Sequence, residues 1–276
     1  MMISPHSIEE LNNFVRQHDP DRYLLSMFAP KRHRQALLAL AAFNYEIAKT
    51  REVVSETQIG LIRLQWWQDA LEEMHNGLMP REHDVVQALA QVIKTYDLQH
   101  DSFKNLIYAR EFDLEDVQPA NIEGLRNYTI FTHHPLLEMT AYLLGAEENS
   151  EELKNLASFY ALIGVLRAMP HHHGQVRYML PQNLCVKYTL KNSKLHTDKE
   201  REKLKSIIVD ILGDIYGDKY MYKPVEGFKH PYFRRMYILA CEYHKALKKC
   251  DFDPFLAEFS IKKRRFLTIS KVFLGI

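Results

Sequence analysis

A chain of 276 residues, 46% of them apolar, is long enough to bury a large core. Its 36 basic and 35 acidic side chains nearly cancel, so no global field draws it to nucleic acid, and any anionic partner must be met by a local patch. Three cysteines, Cys185, Cys241 and Cys250, lie far apart with no C-x-x-C spacing, which suggests reduced thiols in a cytosolic compartment rather than disulfides.

Taken in chain order, the opening MMISPHSIEELNNF carries acids early. It shows neither a charged n-region with an apolar core nor an Arg/Ser-rich leader, so it reads as untargeted. Pro30 stands ahead of a helix running through Lys49, and Gly77 to Pro80 follow a helix that holds Trp66 and Trp67. Pro119, Gly145, Pro170, Pro181, Pro224 and Pro254 mark the later joints. Between them the apolar spacing is helical: Leu204, Ile207, Ile208, Ile211, Leu212 and Ile215 fall on one helix face. No β-alternating run, fixed-period repeat or low-complexity linker interrupts the pattern. The expectation is a single all-α domain over residues 1–276, with about ten helices. No stretch reaches the roughly 18 apolar residues needed to span a bilayer, so the chain is expected to be soluble or to lie on a membrane.

Three segments together resemble the squalene/phytoene synthase family of head-to-head prenyl transferases. The first is PKRHRQALLALAAFNYEIAKTREVVSE (Pro30 to Glu56), where the family shows a proline, an arginine, a small-apolar helix and an Asp-rich D-D-x-x-D sequence. The second is LQWWQDALEEMHNGLMPREHDVVQAL, similar to the family's Trp-containing helix, its G-x-P turn and the following His. The third is GVLRAMPHHHGQVRYMLPQ, which looks like the second Asp-rich helix and the terminal G-R-x-Y-L-P. Laid without gaps on that last pattern, Arg167 and Arg177 fall on family arginines, and Leu180 and Pro181 on the Leu-Pro pair. The resemblance implies an isoprenoid-synthase-like helical bundle around a central cavity.

The residues that carry the family's chemistry are the ones that differ. In this register Ala168 and His172 occupy the Asp positions of the second motif, and Arg51, Glu52 and Ser55 those of the first. Enzymes of the family hold departing pyrophosphate through Mg²⁺ ions bridged to carboxylates on two facing helices. An arginine at such a position repels the ion, and an alanine offers it nothing. Glu46 and Glu52 remain as acids in the first segment. Six residues apart on a helix, they are separated by about 600° of rotation and point to opposite sides. No metal and no cofactor are therefore expected.

The departures have a likeness of their own. AFNYEIAKTREVVSETQIGLIRLQWW and LRAMPHHHG resemble the divergent branch that includes the sixth assembly factor of mitochondrial respiratory complex I and its bacterial relatives. That resemblance implies the family fold without demonstrated prenyl transfer, and a part in building the respiratory enzyme, with a complex I subunit or assembly intermediate as partner.

Each conspicuous residue also has a plainer reading. Consecutive histidines after Pro170 diverge rather than converge on a metal, so His171 to His173 read as a polar loop capping the cavity, with direct anion contact as the alternative. His133-His134 and Tyr243-His244 add candidates without convergent spacing. Arg51, Arg167 and Arg177 either pair with surface acids or, with His172, hold the head group of an anionic ligand such as an anionic lipid or prenyl diphosphate. Arg167 favours the second, because Leu162, Ile163, Val165 and Leu166 surround it. Trp66 and Trp67, with Leu61, Ile62 and Leu64, read as core, with a ligand wall as the alternative. No phosphate-binding glycine loop or nucleophile elbow occurs. The terminal IKKRRFLTISKVFLGI sets Lys262, Lys263, Arg264 and Arg265 before Phe266 and further apolar residues, fit either for an anionic membrane surface or for a last core helix.

Together these readings point to a catalytically silent synthase-like protein that assists assembly of respiratory NADH:ubiquinone oxidoreductase. It would act in the cytoplasm or peripherally on the inner face of the membrane, or in the matrix for a mitochondrial counterpart. The alternatives are a prenyl transferase with a rebuilt site, which leaves the enzyme question open, and a metal-independent binder of an anionic prenyl or acyl lipid.

Overall fold

The computed structural model describes residues 5–115, 117–172, 179–191, 194–220 and 227–256. Among them the chain forms twelve helices: α1 (Pro5–His18), α2 (Pro20–Met27), α3 (Lys31–Ala48), α4 (Thr50–Val53), α5 (Thr57–His75), α6 (Asp84–Tyr96), α7 (His100–Leu114), α8 (Ile122–Leu144), α9 (Ser150–His172), α10 (Gln182–Lys187), α11 (Asp198–Tyr220) and α12 (Pro231–Lys249). The architecture is all-α, as the apolar spacing predicts. The expected count of about ten falls short because two short helices, α4 and α10, are too brief to leave a periodic signature.

Most breakers act where the sequence places them. Pro30 precedes α3, whose last helical residue is Ala48. Gly77 and Gly145 adopt φ of +73° and +63° just beyond α5 and α8. Each lets the next amide reach back to an otherwise orphaned carbonyl, Leu78 N to Glu73 O at 3.0 Å and Ala146 N to Ala141 O at 2.9 Å. Pro170 is the exception: it lies inside α9, and so does the less conspicuous Pro135 inside α8. A proline in a helix costs about 3 kcal/mol. In α9 the burial of Leu162, Ile163, Leu166 and Met169 on the preceding turns offsets it. His171 and His172 are therefore the last turn of α9 rather than the expected loop, and His173 lies outside the described residues.

The chain divides into two compact units, Met1–Asp116 with Phe131–Ser150, and Val117–Ile130 with Glu151–Ile276. In the first unit α3 is the hub. It packs against α1, α2, α6 and α7, while α5 lies along α6 and α7. Burial of nearly every residue from Ala36 to Phe43 follows from helices covering several sides of α3. Gly60 lets α5 approach α7 closely, since a Cβ there would come within 2.4 Å of Leu114 Cδ2.

In the second unit Leu204, Ile207, Ile208, Ile211 and Leu212 form the buried face of α11 that their spacing predicts. The segment before α8 is pinned to the start of α10 by Gln182 N to Pro119 O at 2.8 Å and Asn183 N to Ala120 O at 3.1 Å. Gln118 adds a bond from Nε2 to Leu180 O at 2.8 Å. The end of α12 is held to α11 by Arg201, whose Nη2 lies 2.5 Å from the buried Asp253 carboxylate. All three cysteines are free thiols.

Candidate functional site

The residues that the resemblance lays on the first Asp-rich motif fall on α4 and the loop after it. Arg51 is half-buried, while Glu52 and Ser55 are exposed. Glu46, one helical turn earlier, is the buried acid of this region. Its carboxylate takes Lys49 Nζ at 2.5 Å and Arg63 Nη2 at 2.7 Å. Two internal cations thus satisfy Glu46, whereas Glu52 is exposed to solvent. Among the described residues no group of three or more His, Cys, Asp or Glu side chains has metal-binding geometry.

Beyond Glu46 the second segment forms an aromatic and basic layer. Trp67 is buried against Phe43, with ring centroids 5.5 Å apart, and Trp66 stands edge-on to Trp67. His83 packs against both indoles, and burial, more than any neighbouring charge, lowers its pKa. Arg81 covers Trp66 with its guanidinium 5.0 Å from the ring, and is held there by a two-pronged bond to Glu73 at 2.7 and 2.8 Å. Leu64 joins Trp67 in the core, but Ile62 does not: it is 63% exposed on the outer face of α5.

In the second unit, Arg167 and Ala168 sit half-buried on α9. The guanidinium carbon of Arg167 lies 3.6 Å from the centroid of the Tyr243 ring on α12. An arginine held against an aromatic face keeps its planar fork pre-organised for carboxylate or phosphate. His244, next to Tyr243, is fully buried near Phe159 and Phe252. Burial, and then Lys248 and Lys245, pulls its pKa down to about 4. His172 ends α9, while Arg177, Lys262, Lys263, Arg264, Arg265 and Phe266 lie outside the described residues. Arg51 and Arg167 belong to different units.

A buried polar cluster in the first unit is absent from the sequence reading. Arg110 on α7 is 6% exposed and reaches Asp113 Oδ2 at 3.3 Å, Asn44 Oδ1 of α3 at 3.5 Å and Thr132 O of α8 at 3.4 Å. Arg22 of α2, paired to Asp19 at 2.6 Å, and Arg110 both lie near enough to His133 to disfavour its protonation. Burial is the larger cause, and together these hold the His133 pKa well below its ordinary value. The signal was available: Phe103, Leu106, Ile107 and Leu114 form the core face of α7, and Arg110 shares that face.

This arrangement of helices is that of an isoprenoid-synthase-like fold. A family model for squalene/phytoene synthase matches residues 15–265, and the chain belongs to that family. A dehydrosqualene synthase solved with a ligand superposes with a TM-score of 0.74 at 16% identity, over 97% of this chain and 95% of that one. A squalene synthase from Alicyclobacillus acidocaldarius gives 0.70 at 16% identity, over 91% and 96%. Among relatives by sequence, the NADH dehydrogenase (ubiquinone) complex I assembly factor 6 of Homo sapiens is 26% identical over 247 residues, covering 87% of this chain and 74% of the relative. The homologue of that factor in Dictyostelium discoideum is 25% identical over 269 residues, 94% of this chain and 74% of the relative.

Proposed function

We propose that the protein is an assembly factor for respiratory NADH:ubiquinone oxidoreductase, built on a prenyl-synthase fold without the family's metal-dependent chemistry. The observation that carries this reading is the similarity to complex I assembly factor 6 along 87% of the chain. The metal motifs support it: Arg51 and Ala168 stand where the resemblance expects Mg²⁺ ligands, and Glu46 is answered by Lys49 and Arg63. Its partner would be a complex I subunit or assembly intermediate. It would work at the membrane surface where that complex is built; no described helix is long and apolar enough to cross a bilayer.

Deleting the gene tests the reading directly. Assembled complex I and NADH-driven respiration should fall while carotenoid, hopanoid or sterol levels stay unchanged. Normal complex I with missing isoprenoids would instead identify a prenyl transferase with a rebuilt site.

A second reading, compatible with the first, is metal-independent binding of an anionic prenyl or acyl lipid. It is favoured by the arginine on Tyr243, a guanidinium pre-organised for an oxyanion beside apolar helix faces. His172 and Arg177, of the same unit, are its other proposed contacts. Retention of a lipid anion with EDTA present, weakened by Arg167→Ala, is the expected result, and Arg51→Ala tests separately whether the first unit holds such an anion.

A further inference from the structure

We propose that Arg110 is the head-group contact of an oxyanion site inside the first unit, formed with Asn44, Thr132 and the neighbouring Arg22 and His133. The inference rests on the anion-binding reading above and is independent of the assembly role. It moves the contact to a residue that neither the motifs nor the resemblance indicates.

Three observations carry it. First, Arg110 is buried on the core face of α7, and a guanidinium has no neutral form to retreat to, so its five N–H donors must find acceptors in place. Second, the acceptors it has are distant. Its three bonds span 3.3 to 3.5 Å, against the 2.7 to 2.9 Å usual when a guanidinium meets a carboxylate. In the same unit Arg63 and Arg81 reach their carboxylates at 2.7 Å. Third, the Nε of Arg110 is buried with no acceptor at all. A buried, charged donor left unmet is costly, and a native protein normally supplies a partner for it.

The chemistry of that partner follows from the surroundings. Nη1 and Nη2 direct three of the five donors to Asp113, Asn44 and Thr132, which leaves the Nε donor and the second Nη1 hydrogen for further oxygens. Arg22 and Arg110 both stand close to His133, whose protonation burial disfavours first and the two guanidiniums second, while Asp19 and Asp113 each answer one of the guanidiniums. An oxygen carrying negative charge, on a phosphate, diphosphate or carboxylate, would take the Nε donor in a charge-assisted bond, stronger than the bond a neutral water would make.

The test uses the full chain with EDTA present. The probes are inorganic pyrophosphate, farnesyl diphosphate, and phosphatidylcholine vesicles with and without phosphatidic acid. Wild type should bind at least one probe, and the Nε–Hε resonance of Arg110 should shift at saturation. Arg110→Lys keeps the charge but loses the fork, and should weaken binding about tenfold or more, the equivalent of one charge-assisted hydrogen bond. Binding of pyrophosphate would identify a soluble oxyanion, and binding only to phosphatidic acid vesicles a lipid head group. Binding that Arg51→Ala or Arg167→Ala weakens, but Arg110→Lys does not, would overturn this site and leave the anion-binding reading standing. No binding of any probe would overturn both. Should Arg110→Lys fail to fold, an Nε resonance that stays put in probe-saturated wild type overturns the site on its own.

Discussion

His244 shows how far a single side chain departs from its sequence appearance. Beside Tyr243 it reads as a candidate ligand, yet it is wholly buried with its pKa pulled to about 4. Because the folded value lies below the ordinary histidine value of about 6.5, the unfolded chain takes up the proton first as pH falls. The stability owed to neutral His244 is complete above about pH 6.5 and is lost as pH drops from there towards 4, amounting to roughly 2–3 kcal/mol. His133 acts in the same direction. Urea unfolding at about pH 7 and about pH 5 should show the wild type losing stability, with a visibly smaller loss in His244→Phe. An equal loss in the variant would mean that other groups govern the acid response. The apolar neighbours of Arg167 in sequence argue for a covered position, and the residue is half-buried. Its place against Tyr243, 76 positions further along, required the packing of α9 on α12.

At the scale of elements, close approach decides what periodicity alone does not. Gly60 lies at the buried line between α5 and α7, where an added Cβ would press on a Leu114 side chain that is itself buried. Gly60→Val should destabilise the protein by about 1–3 kcal/mol through overpacking. Leu114→Ala should remove most of that penalty in the double variant, because the valine then fills the space that the leucine leaves. Thermal or urea unfolding of the four members of this cycle checks the coupling, and additive costs would show that the two residues do not compete for one space. Pro170 teaches the complementary lesson. Local rules end a helix before a proline, but the buried turns preceding it carry α9 on to His172.

For the whole molecule, the family resemblance carried by the spaced motifs agrees with the match over residues 15–265. On the proposed reading, activity turns on the residues at positions 51 and 168 rather than on the shared helices. Purified protein given Mg²⁺ and farnesyl or geranylgeranyl diphosphate should release no pyrophosphate above background. Steady release would show that a rebuilt site performs the chemistry without the Asp-rich motifs. The same framework can serve assembly because a helical bundle keeps its stability in its apolar faces, leaving motif residues free to change without loss of fold.

What the sequence by itself determined is the class of fold, most helix joints and the family. These depend on periodicity, breakers and residue type, all of which act over a few turns. Only the tertiary structure decided that Glu46 is closed off by Lys49 and Arg63, that Ile62 faces outward, and that Arg110 meets Asn44 and Thr132 in the interior. Arg110 lies 66 residues from Asn44 and 22 from Thr132. A charge buried at such separations is paired by whichever helices happen to converge on it, and helix periodicity records that a face is covered without recording by what.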